Sequence, residues 1–107
     1  MPYVKVSPTN IDSNWSVSAF KSGQTVLFKA DLSGTVSGAE GWAKSICTLP
    51  EGARPVDSFS VIGFMATQYW NTVSVFQLVL NADGTVAYSF KGFNPNMMFA
   101  HVAFICG

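Results

Sequence analysis

Residues 71–90 read NTVSVFQLVLNADGTVAYSF, and this stretch decides the fold class. Along its first half Val73, Val75 and Val79 fall on one face of an extended chain, and Phe76, Leu78 and Leu80 on the other. That is a period of two, the signature of a strand rather than a helix. Asn81-Ala82-Asp83-Gly84 then interrupts the run with turn chemistry, Gly serving the left-handed position. Val86, Tyr88 and Phe90 alternate down a returning strand. The segment is a β-hairpin. Its first strand is apolar on both faces, which predicts burial on both sides, by a second sheet and by a neighbouring subunit.

The same period extends outward. In TVLFKADLSG, Val26, Phe28, Ala30 and Leu32 share one face while Thr25, Lys29 and Asp31 populate the other. MMFAHVAFIC at the C-terminal end is strand-like throughout its second half. Upstream, TLPEGARPVDSF (residues 48–59) forms a corner: Pro50 cannot donate to a central ladder, Gly52 accepts unusual backbone angles, and Pro55 forces Arg54 to be extended. Strands are expected near 3–6, 14–19, 24–33, 41–49, 58–66, 72–81, 85–91 and 97–106. Seven or eight short strands separated by Ser-Gly, Pro and Asp-Gly signals imply an all-β fold, an antiparallel β-sandwich of jelly-roll type. With 107 residues, no internal repeat and no linker, residues 1–107 make a single domain.

Composition narrows the partners. Charged residues make up 11% of the chain, six basic against six acidic, where globular proteins average about 25%. Zero net charge and a single Arg exclude a nucleic-acid surface, which needs a basic stripe. No apolar run is long enough to span a bilayer, so no membrane insertion is expected, and Met1-Pro2-Tyr3-Val4-Lys5 lacks the order of a signal peptide. The hydrophobic fraction is 49%, with nine Phe and four Met. So little charge and so much apolar surface imply a homo-oligomer, with Val73, Val75 or Met97-Met98-Phe99 facing a copy. Cys47 and Cys106 are expected to be buried thiols rather than a bridge.

A search for catalytic chemistry finds none. His101 is the single histidine, set in an apolar strand, and neither a metalloprotease pair nor a nucleophile elbow nor a phosphate loop occurs. The acidic residues are scattered singly, and no C-x-x-C offers a zinc site. The chain is therefore expected to be non-catalytic, with no cofactor and no metal. What remains is a binding surface. ATQYWNT places Gln68, Tyr69, Trp70 and Asn71 together between two strands, and GFNPNMM supplies Phe93, Asn94 and Asn96. Flat rings beside amides suit a saccharide, which offers C–H faces and hydroxyl edges; the same rings could equally cap a β-core. The hairpin puts the loop before residue 72 and the loop after residue 91 at one end of the domain. The expected saccharide-binding set is thus Gln68, Tyr69, Trp70, Asn71, Asn94, Asn96 and His101, whereas Trp15 and Trp42 sit inside strands.

Two elements together resemble a known family. Leu49, Pro50, Gly52, Arg54 and Pro55 form an L-P-x-G-x-R-P corner, and Leu80, Asp83, Gly84 and Val86 form the hairpin that follows it. In that order they resemble the C-terminal head domains of bacteriophage receptor-binding and baseplate (tail fibre) proteins, over about residues 42–106; Ala53 stands where that family often has an aromatic. The resemblance implies a β-sandwich head, a homotrimer at the tail tip among other baseplate proteins, that binds host cell-surface saccharide for adsorption without catalysis. It implies assembly in the bacterial cytoplasm and residence in the virion, and it fixes no binding residues. A structural virion module, a fibre spacer or decoration protein binding only protein, is the alternative.

Overall fold

The computed structural model describes residues 3–11, 15–33, 44–91 and 95–106. Among them are nine strands: β1 (Val4–Val6), β2 (Thr9–Asn10), β3 (Trp15–Ser22), β4 (Thr25–Ser33), β5 (Lys44–Thr48), β6 (Phe59–Ala66), β7 (Val73–Leu80), β8 (Thr85–Ser89) and β9 (Met97–Ile105), with one 3-10 turn at Gln68–Trp70. All belong to one antiparallel sheet ordered β1-β3-β4-β9-β6-β7-β8-β5-β2. The all-β antiparallel class is as the alternation predicts. The two separate sheets of a sandwich are instead one sheet folded over. β9 is the reason: it pairs with β4 along its whole length and with β6 through Phe64↔Phe99, Met65↔Met98 and Ala66↔Met97. Alternation says which face is buried, but not that one strand carries the ladder round the corner. The ninth strand, β2, is two residues long and shows no period at all.

The curl is measurable. β3 and β8 are five strand positions apart, about 24 Å across a flat sheet. The Trp15 ring on β3 nevertheless lies 5.1 Å from the Tyr88 ring on β8 and 6.1 Å from Phe76 on β7. The two outermost strands, β1 and β2, are separated in the chain by Ser7 and Pro8 alone, so the sheet edges approach within about 11 Å. Inside the curl sit Trp15, Ala19, Val26, Phe28, Ile46, Leu78 and Tyr88, all buried. Outside, Ile62, Phe64, Val73 and Val75 are exposed. Met98 belongs to the protein's own core, and Met97 and Phe99 are half-buried, so that segment is not wholly an outward face. Cys47 and Cys106 are buried and unpaired.

The two elements of the sequence resemblance prove to be one mechanical unit. Leu49 N–H donates to Gly84 O at 2.8 Å, and Arg54 Nε donates to Leu49 O at 2.9 Å. Gly84, at φ +96°, is so close that a Cβ there would stand 2.6 Å from Arg54 Nε and 2.7 Å from Leu49 O. Asp83 Oδ1 accepts from Thr85 N–H at 2.9 Å, the chief cause of a carboxyl held below its ordinary range. Ala53 is buried under the corner, where its N–H reaches Pro50 O. The guanidinium thus lies across the hairpin glycine and ties the β5–β6 corner to the β7–β8 turn.

Candidate functional site

The loop expected to carry the binding residues is the tip of the β6–β7 hairpin. Thr67 and Thr72 close it: Thr67 N–H donates to Thr72 O at 2.9 Å, and Thr72 N–H donates to Thr67 Oγ1 at 3.0 Å. Trp70 N–H turns back to Thr67 O at 3.0 Å. Within this clamp Tyr69 (φ 65°) and Trp70 (φ 60°) are both left-handed, a region that bulky residues seldom adopt. Tyr69 is 79% exposed and Trp70 50% exposed. Asn71 is exposed beside them, and Gln68 forms the start of the turn.

From this tip a row of side chains runs down the outer face. The Trp70 ring lies 6.1 Å from Phe99 on β9, Phe64 on β6 lies 5.8 Å from Phe99, and Phe99 lies 6.5 Å from the His101 ring. His101 Nε2 stands 3.4 Å from Asp31 Oδ1, both side chains about half exposed. The β4–β9 register explains the grouping: Asp31 faces Phe99 and Lys29 faces His101, so alternate residues of two strands share one surface. Beyond His101 a hollow of about 400 Å³ is lined by Phe20, Leu27, Lys29, His101 and Ala103. A larger depression of about 600 Å³ lies on β6, β7 and the end of β8, beside Ile62, Val75, Gln77 and Lys91. It has no exposed aromatic ring on which a sugar could stack, and the row from Trp70 to Asp31 does.

The structure therefore brings Trp70 and His101 onto one surface, with Tyr69 and Asn71 at its upper edge. Asn96 sits at the same end, its N–H donating to Ala66 O at 2.9 Å where β6 enters the loop. Asn94, Phe93 and Trp42 lie outside the described residues, and Trp15 is core. Three residues of this surface were not in the expected binding set: Asp31, Phe99 and Phe64. Each alternates outward on its own strand, which the sequence shows, but only the β4–β9–β6 register places them side by side.

The head domain of phage bIL170, described as a receptor-binding domain of a lactococcal phage, matches this structure with a TM-score of 0.69. The match covers 100% of this chain and 99% of that one, at 12% sequence identity. The chain has the fold of that head domain. No protein-family model and no curated protein matches the chain. The likeness to the bIL170 head is thus one of backbone, and side chains on its outer face must be read on their own chemistry. In these terms the Trp70–Phe99 end of the row offers C–H stacking, and Asp31, His101 and Lys29, on neighbouring positions of β4 and β9, offer an acceptor, an imidazole and an ammonium group.

Proposed function

We propose that this chain is a phage receptor-binding head that attaches a tail or baseplate to saccharide on the host surface. The head-domain fold over the full length of both chains carries this reading. The exposed row supports the saccharide: rings stack on C–H faces, and the carboxylate, imidazole and amine meet hydroxyl edges without requiring net charge. The row lies open on the outer face, where water is not excluded, and so suits binding rather than catalysis. One stacked ring and a few hydrogen bonds supply only a few kcal/mol, about millimolar affinity for one site. A homotrimer, and many trimers on a virion, would raise this by avidity. The exposed Ile62, Val73 and Val75 stripe supports a protein partner on this head, a second copy under this reading. Unpaired thiols suit assembly in the bacterial cytoplasm, before residence at the tail tip.

The test is a bacterial-glycan array read with the unmodified protein and with Trp70→Ala, beside light scattering. Reproducible hits that vanish in the variant at unchanged mass support the reading. The same apolar stripe favours the second reading, a structural virion module that binds only protein. That reading predicts an array without reproducible hits.

A further inference from the structure

Left-handed positions in a hairpin loop are ordinarily filled by Asn and Gly, which reach positive φ with least steric penalty. This chain places Tyr69 and Trp70 there. Neither ring is held in place by deep burial, since both remain half exposed or more. The conformation is held instead by the Thr67–Thr72 clamp, in which the Thr67 side chain accepts the Thr72 N–H. A choice of residues that opposes local preference, in a loop closed by hydrogen bonds, is the pattern expected where strain serves function.

We propose that Thr67 is the positioning residue of the binding surface. Its hydroxyl holds Tyr69 and Trp70 left-handed, which seats the Trp70 ring over Phe99 and preforms the platform before ligand arrives. This rests on the saccharide reading and extends it: stability is given up at the loop tip in exchange for a pre-ordered aromatic pair. Preorganisation matters most for a weak site, because ordering two large side chains on binding would consume much of a millimolar interaction. Thr67→Ser keeps the hydroxyl, whereas Thr67→Val keeps the shape and removes the acceptor for Thr72 N–H. Tyr69→Asn keeps the left-handed backbone and relieves its strain.

The experiment compares the three variants with the unmodified protein in array binding, iodide quenching of tryptophan emission, Tm and light-scattering mass. The emission lost in Trp70→Phe defines the Trp70 signal. Thr67→Val is expected to change Trp70 quenching and to lower array binding about tenfold, with both recovered in Thr67→Ser and mass unchanged throughout. Tyr69→Asn is expected to raise Tm by about 4 °C and yet to bind less. The proposal is overturned if Thr67→Val quenches and binds as the unmodified protein does, if Tyr69→Asn lowers Tm, or if mass changes, which would make the loop a subunit contact. If the unmodified protein binds no glycan, the saccharide reading fails by itself, and the quenching and Tm results still decide whether Thr67 holds the pair.

Discussion

Replacing Gly84 by Ala tests the tie between the proline corner and the β7–β8 turn. At φ +96° any L residue is strained, at about 1–2 kcal/mol. The new Cβ would also meet Leu49 O at 2.7 Å and Arg54 Nε at 2.6 Å. Relief requires moving a backbone oxygen whose own residue is bonded to Gly84 O, and displacing the guanidinium bonded to that oxygen. Losing one neutral and one charge-assisted hydrogen bond adds about 2–3 kcal/mol. The sum, about 3–5 kcal/mol, is a large share of the 5–15 kcal/mol typical of a domain, and lowers Tm by about 15–25 °C. Gly23→Ala is the control: it too has positive φ, +59°, but open space around it, so it should show the strain of about 1–2 kcal/mol alone. Urea unfolding of both variants, and of Gly84→Ala combined with Arg54→Ala, reads the difference. With the arginine gone, part of the Gly84→Ala penalty should disappear, a coupling of about 1 kcal/mol or more. Equal effects at positions 84 and 23, or strict additivity with Arg54→Ala, would refute the interlock.

Gly63→Ala should destabilise by about 2 kcal/mol or more, because its Cβ would meet the Phe76 ring at 2.5 Å and Phe99 O at 2.7 Å; thermal unfolding checks this, and the Trp70–Phe99 surface should loosen with it. Burial pushes the Cys47 thiol up to about 12, so it should stay unreactive toward a thiol reagent in the native protein at pH 8, with Cys47 and Cys106 both reacting after denaturation without reductant. Asp83 has a lowered folded pKa, so its contribution is present above the ordinary carboxylate pKa and is lost as pH falls through the folded value. Tm measured between pH 5 and pH 2 should therefore fall less steeply for Asp83→Asn than for the unmodified protein.

Much of the fold was legible because alternation is a local property. Val26, Phe28, Ala30 and Leu32 turn inward as their spacing requires, and Asn81–Gly84 makes the turn its residues ask for. The curl was not legible, because it depends on β9 pairing with β4 along one edge and with β6 along the other, a matter of pairing between strands distant in sequence. The site divides in the same way. Tyr69 and Trp70 stand out as aromatic residues in a loop, but nothing in their residue types signals a left-handed backbone, which Gly and Asn favour. Asp31 reads as one of several isolated acids until register sets it beside His101. The corner and hairpin motifs were visible separately, and their reason for occurring together, Arg54 lying across Gly84, is visible only in three dimensions.

The central claim is that host saccharide is held on the outer face between the hairpin tip and the His101–Asp31 pair. Amide chemical-shift mapping by NMR, with the strongest glycan from the array titrated into the isotope-labelled protein, tests it most directly. The account predicts that the perturbed amides cluster at residues 67–72, 99–101 and 29–31. Shifts confined to the depression beside Gln77 and Lys91, or to the stripe of Ile62, Val73 and Val75, would contradict it.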